Sequence, residues 1–485
     1  MSYKLKENYI YNTAFQLLNL LVSLATTPYV SRILGPAGVG QYSFTFSIVS
    51  IATTFAVLGG DTHGNRSIAK TENDIEQRSK TFWGILIVQL FSSIISIIVY
   101  FIYTANTKIY TLSLAWQSIH LLASLVNANW FFYGKGQFKL MVNRNIIIKT
   151  ISVICVFIFV HSPDDVNLYI MILGLSDLLS VLIVWPFILK DTSFVRLKTS
   201  DITKHIAPMF LLFTSVLSMS LYKKMDKVLI GWFSNVIQNG YFENVDKIIN
   251  VPSTIFNAMG LVMLPQISNM IASGKKEESK ILINKVININ IILSCAMCFG
   301  IIAISDEFVP LFFGMDFLRC ATIMKLYAPI IIFQAFSNMV RSAYLIPHQM
   351  DTIYIRSTIA GAVVNLVVSS LLISKFGAIG ATIGIIAAEA IVAFIQMRYI
   401  RNELPVKKYF LNTIPYIIFG SIMVLTIMVI KSIWKFGGII ELISEIFIGI
   451  LVYSILSIIY IFLILKDKEL IRLFFRIITI KKISN

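Results

Sequence analysis

"ILGPAGVGQYSF", residues 33–44, decides how this chain folds. Apolar runs flank it on both sides, at roughly 9–30 and 39–58, each near the ~20 residues a helix needs to cross the bilayer hydrocarbon. The stretch therefore reads as the joint of a membrane hairpin. A second joint, "LIGWFSNVIQNGYFE" at 229–243, repeats its pattern. In both, an apolar residue and Gly end one helix, and Gly and Tyr open the next. Such an internal echo points to a duplicated architecture.

The rest of the chain agrees with a membrane setting. Of 485 residues, 57% are hydrophobic, 14% are charged and the mean hydropathy is +0.79. A soluble domain carries roughly a quarter charged residues. Fourteen spans are expected, near 9–30, 39–58, 81–103, 109–132, 141–161, 167–189, 206–232, 239–264, 282–304, 318–346, 354–374, 378–399, 409–430 and 439–465. The loops between them are short, and the first apolar run is too long for the core of a cleavable signal peptide.

Lys and Arg gather on the cytoplasmic side of membrane proteins. With both termini inside, the outer segments hold only Arg32, Lys108, Arg319, Lys375, Lys431 and Lys435, while most of the 41 basic residues fall in inner segments. The tail "KDKELIRLFFRIITIKK" reads as a basic amphipathic helix on the anionic inner leaflet. The net charge of +16 forms no continuous stripe, which argues against nucleic acid. Cys155, Cys295, Cys298 and Cys320 are too scattered for a disulfide framework, and "CAMC" at 295–298 sits in an apolar run that suits packing. No metal, cofactor or catalytic motif is expected. "HSPDDV" at 161–166 is read as a loop.

Spans 5–6 and 11–12 align without gaps at an offset that superposes Arg144 on Arg356 and Asp177 on Glu389. Six helices per repeat is an even number, so the halves enter the membrane from the same side as parallel repeats. The expected fold is all-α and polytopic: six-helix bundles at 1–200 and 201–404 around a central cavity, then two further helices and the basic tail at 405–485.

"SLYKKMDKVLIGWF", 220–233, places Lys223, Lys224, Asp226 and Lys227 inside an apolar span. An ionised side chain facing lipid near mid-bilayer costs about 2.5–3.5 kcal/mol or more. At 1.5 Å rise per residue Lys223 lies about 15 Å deep and Lys227 about 9 Å. "YFENVDKIIN" brings Glu243, Asp246 and Lys247 to similar depths, so Asp226–Lys247 or Lys227–Glu243 pairs are expected. With Arg32 at the matching end of span 1, positive charge is in excess. Either these groups snorkel to the outer interface or they line a cationic cavity that takes an anionic substrate. On the second reading Lys223, Lys227, Lys247, Arg32 and Lys224 are the candidate substrate contacts. Asp177 and Glu389, lone carboxylates near mid-span, are candidate ion-coupling groups together with Asp226 and Asp246. A purely packing role fits Asp177 and Glu389 equally well.

These residues also carry a resemblance. "RILGPAGVGQYSFTFSIVSI", "GNRSIAK", "NWFFYGKGQFKLMVNRNIIIK", "MDKVLIGWF", "GYFENVDKIINVP" and "MLPQISN" resemble Wzx-type polysaccharide flippases of the multidrug/oligosaccharidyl-lipid/polysaccharide superfamily. The resemblance implies a V-shaped pair of bundles in the bacterial cytoplasmic membrane. It implies a lipid-linked oligosaccharide as cargo, carried on undecaprenyl pyrophosphate from inner to outer leaflet. A coupling proton or sodium ion, membrane lipids and other polysaccharide-assembly proteins are the implied partners. A lipid II flippase, a multidrug exporter of the same superfamily, and a membrane polymerase or glycosyltransferase are the alternatives. The lysine excess counts against a multidrug exporter. The short outer loops count against an enzyme.

Overall fold

The computed structural model describes residues 3–71, 74–433 and 437–465, with side chains from Leu21 onward except Ser215, Met219, Lys223, Ile464 and Leu465. The basic tail expected at 466–482 lies outside the described residues. Among those residues every regular element is helical.

In chain order the helices are α1 (Tyr3–Val57), α2 (Gly60–Ile68), α3 (Ile75–Asn106), α4 (Thr111–Leu125), α5 (Asn129–Gly134), α6 (Phe138–Phe159), α7 (Val166–Leu182), α8 (Trp185–Asp191) and α9 (Thr199–Phe233). They continue with α10 (Val236–Ala272), α11 (Lys276–Phe312), α12 (Arg319–Tyr327), α13 (Ile330–Val340), α14 (Asp351–Phe376), α15 (Ala378–Ile400), α16 (Val406–Ile433) and α17 (Gly438–Tyr460). Twelve stretches of the described residues are long and apolar enough to cross a membrane. The first of them, Leu21–Thr71, has 51 residues and holds more than one crossing. Gly35, at φ +63°, breaks α1 there, and Pro36 restarts the helix where its missing N–H costs nothing. Counting α1 as two and joining α4 to α5 gives the fourteen expected spans. The chain is a multi-pass membrane protein.

The molecule divides into two compact units, one of residues 1–243 with 370–381, the other of 244–369 with 382–485. In the first unit the two sequence joints touch. A Cβ on Gly40 would lie 1.7 Å from the Val236 carbonyl oxygen, and one on Gly240 would lie 2.0 Å from that of Pro36. Only glycine lets these backbones meet, the close-approach packing that membrane helices favour. Gly231 likewise admits the Phe44 ring. The crossing draws α9 and the start of α10 onto α1, so this unit extends past the first repeat. Ser92, Ser93 and Ser96 of α3 donate to the Ala56 and Ala52 carbonyls of α1 at 2.6–3.1 Å. Phe82, Trp130, Phe131 and Phe132 form a buried aromatic cluster in this unit.

The second unit has its core between α11, α13, α16 and α17. Cys295 and Cys298 are buried there as free thiols, in keeping with packing. Lys431 of α16 ties α11 and α17 to this core: its Nζ is 2.5 Å from Glu307 and 3.5 Å from the buried Glu445.

Candidate functional site

The Ser234–Asn235 turn folds α10 back along α9, so Lys227 before the turn meets Glu243 after it. Their ion pair closes at 2.7 Å, and both residues are buried. Ser43 Oγ donates to the same Glu243 oxygen at 2.7 Å, and Asn239 Nδ2 donates to the Lys227 carbonyl at 2.9 Å. The expected cross-helix pair is therefore present, with its ammonium enclosed by protein. Asp226 is buried beside it.

The other basic candidates differ in their surroundings. Lys224 is half-buried, its Nζ 5.0 Å above the Phe46 ring in a cation–π contact. Arg32 is exposed. Lys247 and Asp246 are half-buried in the second unit, where Asp246 Oδ1 accepts from Asn250 Nδ2 at 2.8 Å and from the Tyr327 hydroxyl at 3.4 Å. The Lys223 side chain lies outside those described.

Phe46 leads from Lys224 to a polar pocket of about 550 Å³ inside the first unit. Thr53 and Thr54 of α1, Asp61 of α2, His120 of α4, Asn127 and Asn129 beside α5, and Asp177 of α7 line it. The His120 ring stands edge-on to Phe46 at 5.3 Å. Its Nδ1 is 2.7 Å from Asp177 Oδ2. The imidazole is buried while the Asp177 side chain is 63% exposed, so the carboxylate faces the pocket and the ring backs it. His120 Nε2 is buried without a hydrogen-bond partner. Arg144, buried close by, gives Nη1 to Asn129 at 3.2 Å and Nη2 to Asn145 at 2.5 Å.

Asp177 is thus not the lone carboxylate expected, and neither is Glu389. In the second unit Gln334 Nε2 donates to Glu389 at 3.3 Å and Gln334 accepts from Ser253. Sequence reasoning missed His120, Asp61 and Gln334. Its available signal was a histidine in an otherwise apolar span, which more often marks a satisfied core side chain. The acidic loop behaves as read: Asp165 accepts from the backbone of His161 and Ser162 at 2.9 and 2.8 Å.

A second cavity in the first unit, about 1010 Å³, runs between α1, α3 and α9. Apart from Ser92, Ser96, Tyr100 and Tyr103 its walls are apolar.

Residues 5–271 match the family described as "Polysaccharide biosynthesis protein". A protein of Escherichia coli named for O-antigen transport is 22% identical over 408 residues, covering 82% of this chain and 97% of that one. A Haloferax volcanii protein named for a flippase role in low-salt glycan biosynthesis is 23% identical over 239 residues, 49% of this chain and 50% of that one. Among solved structures, the lipid II flippase MurJ in an inward closed conformation has a TM-score of 0.77 at 14% identity, over 93% of this chain and 99% of MurJ. An inward-facing multidrug resistance transporter of the MATE family has a TM-score of 0.63 at 16% identity, over 80% of this chain and 94% of its own. At such identities the structures speak for the fold alone.

Proposed function

The chain belongs to the polysaccharide biosynthesis protein family, and from that premise we propose that it is a flippase for a lipid-linked oligosaccharide. It is read as a transporter of the bacterial cytoplasmic membrane, with both termini on the cytoplasmic face, and not as an enzyme. The names of its relatives and the likeness of its fold to a lipid flippase support this reading.

The observation that carries it is the His120–Asp177 pair at the wall of a polar pocket within membrane helices. A carboxylate at that depth is expensive unless water or a partner receives it. Here a buried imidazole holds it at 2.7 Å and leaves it facing open space. Such a pair can take up and release a proton or a sodium ion as the pocket changes access. Asp177 is the proposed coupling group, with Asp61 beside it and Glu389 as its counterpart in the second repeat; Asp226 and Asp246 are secondary candidates. Lys224, Arg32 and Lys247 are the proposed contacts for the anionic cargo. Lys227 serves to hold α9 to α10. The apolar cavity along α3 suits the hydrocarbon of the carrier lipid, the bundles at 1–200 and 201–404 alternate access, and other polysaccharide-assembly proteins supply the cargo.

The test is transport into proteoliposomes against an imposed proton or sodium gradient. Asp177→Asn is expected to abolish the gradient dependence; a rate that still tracks the gradient would remove Asp177 from this role. A lipid II flippase and a multidrug exporter share this fold, so cargo competition in the same vesicles separates them.

A further inference from the structure

The repeat offset pairs Arg144 with Arg356, yet the two guanidinium groups do different things. Arg144 is buried and spent on Asn129 and Asn145. Arg356 is exposed and lines a separate pocket of about 540 Å³ with Ile395, Arg398, Tyr399, Arg401 and Asn402.

The topology explains the convergence. α14 and α15 form a hairpin about Gly377, whose φ of +56° turns the chain, so the start of α14 and the end of α15 come to the same level. Arg356 stands five residues into α14, while Arg398 and Arg401 flank the last residue of α15. The negative end of the α15 dipole favours cations there, which steadies two of the arginines but supplies no anion.

Among the described residues none of the three pairs with a carboxylate. The acidic residues nearest in sequence do not serve them: Glu403 is engaged by Lys280 at 3.0 Å, and Asp351 makes no ion pair with them. A concave site thus carries three positive charges, an aromatic ring and an amide, with no internal counterion. Guanidinium groups pair phosphate oxygens bidentately, which ammonium groups cannot do.

We propose that Arg356, Arg398 and Arg401 form a binding pocket for the diphosphate of a polyprenyl-linked lipid. A phosphodiester carries one negative charge and would leave most of the site uncompensated. A diphosphate diester carries two charges over four non-bridging oxygens and one bridging oxygen, enough to meet all three arginines. The pocket lies where helices end, the level at which lipid phosphates sit. The choice of a polyprenyl carrier rests on the flippase reading; the anion chemistry does not.

The test uses the purified full chain in nanodiscs, with bound lipid counted by native mass spectrometry. The probes are undecaprenyl diphosphate, undecaprenyl monophosphate and dioleoyl phosphatidylglycerol. The diphosphate is expected to bind at least about tenfold tighter than either of the others, since each charged hydrogen bond contributes about that factor. Arg356→Gln with Arg398→Gln and Arg401→Gln should erase the preference. The three Arg→Lys changes should keep general anion attraction and lose most of the selectivity. Because all three residues are exposed, the variants should fold.

Equal binding of diphosphate and phosphatidylglycerol would overturn the proposal in favour of a general anionic-lipid contact. Selectivity that survives the triple Gln variant would overturn it outright. The measurement reads binding without transport, so a chain that fails to flip lipid can still pass it and one that flips can still fail.

Discussion

Replacing Lys227 by Met removes the ammonium that Glu243 meets at 2.7 Å while its carboxylate stays buried beside Ser43. Removing one partner of a buried pair costs about 3–5 kcal/mol, because the other charge stays desolvated. Glu243→Leu should cost a similar amount by leaving the ammonium enclosed. The double variant puts two apolar side chains face to face and is expected within about 1 kcal/mol of the parent. The cycle should therefore give a coupling of about 3 kcal/mol or more, far above the 0–1 kcal/mol of an exposed pair. Equilibrium unfolding in mixed micelles with increasing SDS, followed by tryptophan fluorescence, supplies the four energies. Surface polysaccharide in a complemented null strain supplies the functional arm, and the double variant should restore it. Additive single effects below about 1 kcal/mol would show the pair to be solvated. A stable double variant with no polysaccharide would show that Lys227 meets the cargo.

The other predictions are shorter. Gly240→Ala forces a Cβ to 2.0 Å from a backbone oxygen that cannot turn away, so loss of about 1–3 kcal/mol or failure to fold is expected. Gly300→Ala, with open space around it, should be neutral or stabilising by about 0.5–1 kcal/mol in the same unfolding assay. Changing Ser92, Ser93 and Ser96 together to Ala should cost about 2 kcal/mol, at ~0.6 kcal/mol per interhelical hydrogen bond in a membrane; no loss would mean that α3 is held to α1 by packing alone. Glu389→Gln keeps an amide for Gln334, so stability should hold within about 1 kcal/mol while gradient-driven transport falls; unchanged transport would leave Glu389 a packing group.

The spans were legible because hydrocarbon thickness imposes a length on apolar runs, and Gly35–Pro36 marked the break in α1. The Lys227–Glu243 pair was legible too, since both lie nearly the same distance from the Ser234–Asn235 turn. What the sequence hid was lateral. Nothing linear joins His120 to Asp177, 57 positions apart, or says that a helical histidine backs a carboxylate. The count back from the turn matched Lys227 with Glu243, but such a count says nothing about which side of a helix a charge faces. The repeat was misleading in one respect. Arg144 is satisfied locally by Asn145 beside it and by Asn129, whereas Arg356 has Ile355 and Ser357 as neighbours and turns outward.

The most direct measurement is translocation itself. Purified chain would be reconstituted into vesicles containing a polyprenyl-diphosphate oligosaccharide, and the glycan newly exposed to an impermeant glycosidase followed with time. Wild-type protein should expose it well above protein-free vesicles, and Asp177→Asn at equal incorporation should lower the rate at least about tenfold, the size of one lost charged hydrogen bond. Vesicles that expose no more glycan with protein than without it would contradict the account, and so would an Asn variant that runs at the parental rate.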